Sequence, residues 1–257
     1  MIGSSRVIIQ DRDRRLLAEL GVMRVIDREQ AKIVAGFHST TRANVRLLTL
    51  TRFGFLTRSF TGTIYGGRKA VYSLSRTGAA LIGVTYRPIR HRLGETAAAS
   101  LFLEHQMRLN EVYCAVKHER IPVADARCRR WVTFQTPLSP AIPLVPDGYF
   151  ELETGSEIRP MFVEVDLGNE ALRIWRKKMQ AYLQLAVSGE FARLFQQSRF
   201  RVLVLMPSQR RLRTVRAAIA KTTDKIFWFT TLAQIKQSGI WSPIWLRPNG
   251  DQQHPLV

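Results

Sequence analysis

A short apolar run, MFVEVDL (residues 161–167), contains two acids, Glu164 and Asp166. Side chains two apart along a β-strand lie on the same face, so the two carboxylates share one face and the alternating apolar residues share the other. Burying such acids without partners is costly. The run therefore predicts a strand whose acids are matched either by a bound cation or by nearby arginines, of which Arg173 and Arg176 are the candidates.

A third acid lies on the preceding strand-like segment. If the hairpin at ETGSE is centred between Gly155 and Ser156, Asp147 falls directly across from Glu164, whereas a one-residue slip would send it to the opposite face. With the first register three carboxylates converge, and their repulsion raises their pKa values unless a cation neutralises them. Hard oxygen ligands suit Mg²⁺ or Mn²⁺, so we predict a metal site formed by Asp147, Glu164 and Asp166.

The helix predicted after this strand, in the sequence WRKKMQAY, carries Lys178 and Tyr182 four residues apart and hence on one face. Packed on the sheet, it would bring the Lys178 ammonium over the acids, where it could orient a water or stabilise charge in a phosphoryl transition state. Tyr182 is then an accessory residue. Glu104, in the helical pattern 95–119, is either a second accessory acid or half of a surface salt bridge with His105.

The charge of the chain predicts a polyanionic partner. The formal net charge is +19, and no acid lies between Glu29 and Glu95, a span that contains eleven lysines or arginines. Residues 1–92 carry 17 basic and 5 acidic side chains. A surplus of this size favours nucleic acid. Anionic membrane is the weaker alternative, since no helix pairs a basic face with a broad aromatic one.

The basic segment has the element order of a winged helix-turn-helix. A first helical pattern follows Asp11, Asp27 begins a second helix with Gln30 three residues on, and Ser39 or Thr40 begins a third. Two β segments around the glycine-rich turn TGTIYGGRK then predict a hairpin. In this arrangement the third helix lies in the major groove of DNA and the hairpin contacts the backbone.

The third helix and the hairpin supply the predicted DNA contacts. Arginine and asparagine read base edges, while arginine and lysine also bind phosphates. Val45, Leu48 and Leu50 are expected to pack inward. The predicted DNA-binding residues are Arg42, Asn44, Arg46 and Arg52 on the helix, with Arg42, Asn44 and Arg46 facing bases, and Arg68 and Lys69 at the hairpin tip.

Beyond residue 93 the order helix, strands, helix, strand, helix, strand predicts an α/β sheet with helices on its faces. The expected domains are residues 1–92, residues 93–250 and a disordered tail, 251–257. The two cysteines lack metal-ligand spacing, and neither a signal peptide nor a membrane-length apolar run is present. A cytoplasmic protein is therefore expected.

The acids and the lysine resemble the PD-(D/E)xK nuclease superfamily. Asp147 follows a proline as in the PD element, and Glu164 matches the second acid. Asp166 stands where the lysine is usual, and Lys178 matches a lysine that has moved to the next helix. The resemblance implies that Asp147, Glu164, Asp166 and Lys178 are the catalytic residues of a restriction-endonuclease-like domain.

Taken together, the winged helix, PDGYF, EVD and K-x-x-x-Y resemble the replication-relaxation family of plasmids and integrated mobile elements, over roughly residues 10–235. This resemblance implies a bacterial protein, associated with nucleoid or plasmid, that acts in plasmid replication and in relaxing supercoiled DNA. It also implies double-stranded DNA as a partner, with other replication, relaxation or transposition proteins and a homodimer left open.

Three functions follow from these observations. The first is a DNA-binding protein that nicks or cleaves DNA with Mg²⁺ or Mn²⁺. The second is a catalytically inactive DNA-binding regulator or a replication or relaxosome accessory protein. The third is a partner-binding scaffold whose interface uses Trp228, Trp241 and Trp245, although such tryptophans are more often core residues.

Overall fold

The computed structural model describes residues 7–62, 67–89 and 97–257. The described chain forms two compact units, Met1–Cys114 and Ala115–Val257. The predicted boundary lay near residue 92, but α5 (Ala97–His118) runs through both sides of the actual one. Its first part belongs to the N-terminal unit because Leu103 packs with Val25 and Val71, and the Asn110 amide donates to the Met23 carbonyl at 3.2 Å.

The N-terminal unit is a winged helix-turn-helix, as predicted. The chain order is α1 (Asp11–Met23), β1 (Ile26–Asp27), α2 (Arg28–Ala35), α3 (Thr40–Arg52), β2 (Leu56–Gly62), β3 (Arg68–Leu74) and α4 (Arg76–Leu81). The three strands form an antiparallel sheet in the order β1-β3-β2.

Local sequence explains where these helices begin. The Asp27 carboxylate accepts from the Gln30 N–H at 2.8 Å, and the Gln30 side chain accepts from the Asp27 N–H, which is the predicted capping box. The Ser39 hydroxyl accepts from the N–H of Arg42 at the start of α3. Ser75 caps α4 in the same way, accepting from the Gly78 N–H at 2.9 Å.

The second unit is built on a seven-stranded mixed sheet in the order β10-β9-β8-β7-β6-β5-β4. Its elements are β4 (Arg127–Val132), β5 (Gly148–Thr154), β6 (Glu157–Val165), α6 (Leu172–Val187), α7 (Glu190–Phe195), β7 (Arg201–Met206), α8 (Gln209–Ala220), β8 (Phe227–Thr231), α9 (Leu232–Ser238), β9 (Trp245–Leu246) and β10 (Gln253–His254). Strands β4, β5 and β6 are antiparallel, whereas β6, β7 and β8 are parallel. The predicted α/β fold with helices beside a mixed sheet is confirmed.

The main core of the second unit lies between one face of this sheet and the helices α6 and α8. Phe162 is fully buried there, with its ring centroid 5.0 Å from that of Tyr149 and 5.4 Å from that of Tyr182. The side chains of α6 and α8 that pack on the same face are Trp175, Met179, Tyr182, Leu185, Leu212, Val215 and Ile219. This core fixes α6 against β5 and β6, and therefore fixes the position of Lys178.

The C-terminal residues form part of the second unit, so the prediction of a disordered tail over 251–257 is wrong. Strand β10 pairs antiparallel with β9, Leu256 is fully buried, and Arg201 Nη1 donates to the Leu256 carbonyl at 2.9 Å. The polar composition of the tail suggested disorder, but two backbone pairings and one buried leucine are enough to order it.

Candidate functional site

Helix α3 presents one packed face and one open face. Ala43, Leu47 and Leu50 are fully buried on the packed face. Arg42 and Arg52 are exposed and Asn44 is partly exposed, so these three side chains are accessible to a ligand such as DNA. Val45 is 59% exposed, which corrects the prediction that it packs inward; it lies on the same open side of the helix and offers an apolar contact there.

Arg46 has a structural role, which corrects its prediction as a base-reading residue. Its Nε donates to Asp13 Oδ1 at 2.7 Å and its Nη2 donates to the Ile8 carbonyl at 2.7 Å. Asp13 is fully buried in α1. The hydrogen bond with Asp13 raises the pKa of Arg46, with burial opposing it. The guanidinium therefore ties α3 to α1.

The wing, which is the hairpin formed by β2 and β3, carries exposed basic side chains at the start of β3. The predicted turn residues 63–66 lie outside the described part of the chain. Arg68 and Lys69 are both exposed. The Arg68 and Arg58 guanidiniums lie 5.2 Å and 4.6 Å from the centroid of the Phe60 ring, and Lys69 forms an ion pair with Asp27. Lys69 is thus both exposed and linked to the cap of α2.

In the second unit, the hairpin β5–β6 has the register that the acids required. Gly148 pairs with Val163 and Thr154 with Glu157, so continuing the register by one residue sets Asp147 across from Glu164. The Asp147 carboxylate accepts from the Val165 N–H at 2.7 Å. Asp147 and Glu164 are therefore neighbours on the sheet face that α6 covers.

Glu164 is fully buried and is held by two side chains of α6. The Tyr182 hydroxyl donates to Glu164 Oε1 at 2.6 Å, and Lys178 Nζ donates to Glu164 Oε2 at 3.0 Å. Lys178 also donates to Glu170 Oε1 at 2.9 Å. These contacts confirm that α6 carries Lys178 and Tyr182 to the acids.

The charges in this cluster shift each other's protonation. Burial, and then the negative charge of Asp147, raise the pKa of Glu164 to about 7 although Lys178 opposes the shift. Burial lowers the pKa of Lys178, but Glu164, Asp147 and Glu170 together raise it above its ordinary value, so the ammonium stays charged. Burial and the charge of Glu164 raise the pKa of Tyr182, so its hydroxyl remains a donor.

Asp166 belongs to a separate set of contacts, which corrects its prediction as a shared metal ligand. Its Oδ2 accepts from Trp175 Nε1 at 2.8 Å and from Arg211 Nε at 2.8 Å, and its Oδ1 accepts from the Gly168 N–H. Within residues 7–62, 67–89 and 97–257, no group of three or more His, Cys, Asp or Glu side chains is placed to hold a metal ion. Asp147 and Glu164 therefore remain as the two carboxylates considered for a cation.

Three partners in this site were not predicted. Trp175, Lys178 and Tyr182 share one face of α6 because they are three and four residues apart, so helical spacing could have identified Trp175. Glu170 lies two residues before the start of α6, but nothing in its local sequence pattern distinguishes it. Arg211 comes from α8, and the sequence near Asp166 suggested Arg173 or Arg176, both of which are exposed.

The remaining predicted residues lie elsewhere. Glu104 is an exposed residue of α5 in the N-terminal unit, and its accessory role stays a prediction. Trp228, Trp241 and Trp245 are 6%, 5% and 0% exposed, so the prediction that they form an open partner interface is wrong. None of the helices in the described ranges combines the length and apolar composition of a membrane span.

Solved structures with some similarity include two DNA-associated proteins. One is Bacillus subtilis PadR in complex with operator DNA, with 18% identity, a TM-score of 0.22, and coverage of 39% of this chain and 63% of that chain. Another is the restriction endonuclease FokI bound to DNA, with 12% identity, a TM-score of 0.32, and coverage of 90% of this chain and 45% of that chain. This chain thus spans less than two thirds of either protein.

No curated protein sequence matches this chain. The family model described as replication-relaxation matches residues 15–196, which include most of the winged helix, the PDG and EVD segments and α6. That match spans more than half of the sequence, and the chain therefore belongs to the replication-relaxation family.

Proposed function

We propose that this protein binds double-stranded DNA of a plasmid or mobile element through its N-terminal unit and hydrolyses a phosphodiester bond at the Asp147–Glu164–Lys178 cluster. The observation that carries the proposal is the position of Lys178, whose Nζ lies 3.0 Å from the buried Glu164 carboxylate. Two acids from adjacent strands with a charged lysine above them match the chemistry of a metal-dependent nuclease.

DNA binding is supported by charge and by the winged-helix order of elements. The span from residue 30 to residue 94 contains no acid, and α3 and the wing expose Arg42, Arg52, Arg68 and Lys69. Since phosphate contacts dominate affinity for duplex DNA, this basic surface is suited to its backbone.

The donor set of Asp147 and Glu164 fits Mg²⁺ or Mn²⁺. Mg²⁺ is commonly bound by one or two carboxylates, with water and substrate phosphate oxygens as its other ligands, so a third protein carboxylate is not required. The raised pKa of Glu164 supports the fit, because burial and the charge of Asp147 outweigh the Lys178 ammonium, and a cation would supply further positive charge. The chemistry that such an ion supplies when bound is polarisation of phosphate oxygens and activation of water.

The side chains of the chain itself have distinct roles in this proposal. Lys178 stays protonated and stabilises the negative charge that develops on the phosphate as water adds to phosphorus and the bond from phosphorus to the sugar oxygen breaks. Tyr182 fixes the Glu164 carboxylate through its hydroxyl. Arg211 and Trp175 hold Asp166 and thereby position the end of β6 relative to α6 and α8.

The test is incubation of the full chain with supercoiled plasmid, with and without Mg²⁺ or Mn²⁺. We expect nicked or linear plasmid only with the ion, and loss of that product in Lys178→Met. Lys177→Met is the matched control because Lys177 is the adjacent, exposed lysine of the same helix. Equal activity in the two variants would assign the cleavage to another source.

One observation favours a second candidate, a non-enzymatic DNA-binding regulator or replication accessory protein. Both Glu164 oxygens already accept hydrogen bonds from α6, so the cluster also serves as a buried polar network that fastens the helix to the sheet. Plasmid that is bound but never cleaved, with either ion present, would favour this function.

A further inference from the structure

A basic cleft of the second unit lies at the other end of the strands from Glu164. It is formed by the beginning of β6, the beginning of β7 and by β8, and its volume is about 620 Å³. Its lining includes Arg159, Arg199, Arg201 and Arg247, against a single carboxylate, that of Glu157. The cleft therefore carries an excess of positive charge independent of the candidate catalytic cluster.

Trp228 lines this cleft. The residue is 6% exposed, and the Arg201 and Arg247 guanidiniums lie 4.5 Å and 5.0 Å from the centroid of its ring. His254 approaches edge-on, with ring centroids 5.8 Å apart. Because the ring is already covered by these groups, it is poorly placed to stack on a nucleobase.

Two buried donors in this cleft lack acceptors. Among the residues that the structure describes, none accepts a hydrogen bond from Trp228 Nε1 or from Arg159 Nε. A buried donor without an acceptor costs free energy, and such a pair on a basic surface is usually matched by a ligand or water. Both belong to side chains on the sheet face turned away from α6, since Phe162 and Phe227 alternate with them on the other face.

The arginines are also held in place. Arg201 Nη1 donates to the Leu256 carbonyl and Arg247 Nη2 donates to the Asp224 carbonyl, each at 2.9 Å. Arg159 Nη2 pairs with Glu157 at 2.9 Å. Burial, followed by the charges of Arg159 and Arg247, lowers the pKa of Arg201, so the cluster is short of negative charge. Fixed guanidiniums lose little entropy on binding an anion.

We propose that this cleft is an oxyanion site that binds a phosphate group, with Arg159, Arg201 and the Trp228 indole N–H as donors. A phosphate offers several charged acceptors to these donors and neutralises the excess of guanidinium charge. The same chemistry is found in inorganic phosphate, in nucleotides and in the DNA backbone. The site is separate from the acids proposed for hydrolysis and does not depend on their activity.

The test is calorimetric titration of the full chain with inorganic phosphate at constant ionic strength, with chloride as the reference anion. We expect saturable binding that Arg159→Gln and Trp228→Phe each weaken by about tenfold or more, since the first removes a charged donor group and the second removes the indole N–H. Arg213→Gln is the control: it makes the same charge change at an exposed position of α8. Trp228→Phe keeps the aromatic packing, which guards against loss of folding.

A second titration with a short DNA duplex identifies the source of the phosphate. If the same two variants also bind duplex more weakly than Arg213→Gln does, the site holds the DNA backbone. If duplex affinity is unchanged while phosphate affinity falls, the site takes a small phosphate compound. Phosphate binding that is absent, or that is equal in wild type, Arg159→Gln and Trp228→Phe, overturns the proposal.

Discussion

Glu164 stands between two apolar residues of β6, Val163 and Val165, and its side chain is fully buried. Burial of this kind is tolerated only when donors are supplied, and here Tyr182 and Lys178 supply them from successive turns of α6. The residue is therefore both a partner for the helix and a group whose protonation is sensitive to pH.

Protonation of Glu164 links the stability of the fold to pH. Its pKa rises from an ordinary 4.5 to about 7, so the folded protein binds a proton that the unfolded chain has released over that range. The contribution of this group to the free energy of unfolding is fully present below about pH 4.5. It is lost as the pH rises through 7, and the total loss is about 3 kcal/mol. Urea unfolding at pH 5 and pH 7.5 measures the loss.

The matched variant for this effect is Glu164→Gln, which keeps the shape of the side chain but cannot titrate. We expect the difference in unfolding free energy between wild type and this variant to change with pH over that window. A difference that stays constant between pH 5 and pH 7.5 would show that Glu164 is ionised throughout.

Arg46 provides a second test at the residue scale. Arg46→Ala leaves the buried Asp13 carboxylate without its main partner, and we expect it to cost about 3 kcal/mol in unfolding free energy. Arg42→Ala, on the exposed face of the same helix, should change stability by less than about 0.5 kcal/mol. Chemical denaturation of both variants distinguishes a structural Arg46 from one that is reserved for DNA.

For helices and strands, signals within a few residues of sequence predicted the helix caps and the register of the β5–β6 hairpin. The caps at Asp27, Ser39 and Ser75 follow from side chains that bond their own backbone two or three residues on. The register of β5 and β6 follows from the centre of one tight turn, and it set Asp147 across from Glu164.

Long-range partners could not be predicted in this way. Arg211 reaches Asp166 across 45 positions and Arg46 reaches Asp13 across 33, and neither sequence neighbourhood signals the pairing. Such pairs depend on how helices pack, which the spacing of residues within each helix does not determine. For this reason the prediction grouped Asp166 with the metal ligands and left Arg46 free for bases.

Variants of α3 and of β3 test whether these two elements of the winged helix have separate roles in DNA binding. Arg42→Ala on α3 should alter preference among duplex sequences, because a helix in the major groove reads base edges. Arg68→Ala on β3 should weaken binding evenly and reduce the salt dependence, as expected of a side chain that binds phosphate rather than bases. Competition binding with several duplexes at two salt concentrations measures both. The same pattern of loss in the two variants would contradict the assignment of α3 to the groove.

For the molecule as a whole, both units share the positive charge. Of the side chains behind the formal net charge of +19, residues 1–114 carry 18 basic and 8 acidic ones, and residues 115–257 carry 21 basic and 12 acidic ones. The cluster of Asp147, Glu164 and Lys178 and the basic cleft around Trp228 both lie in the second unit, so the proposals of hydrolysis and of phosphate binding concern the same unit.

Binding of a cation would distinguish Asp147 from Asp166, because Asp147 lies across from Glu164 whereas Asp166 is held by Arg211. An ion that binds only the folded form raises stability, by about 2.7 kcal/mol at a hundredfold excess over its Kd. We expect Mn²⁺ to raise the melting temperature of wild type and of Asp166→Asn, since Asp166 is held by Arg211 and Trp175, but not that of Asp147→Asn. Both variants make the same change from carboxylate to amide, so each serves as the other's control. Differential scanning fluorimetry with and without Mn²⁺ checks this, and at lower pH the effect should weaken because protons compete for Glu164. A melting temperature that ignores Mn²⁺ in all three proteins would leave the acids with the structural role that Tyr182 and Lys178 already give Glu164.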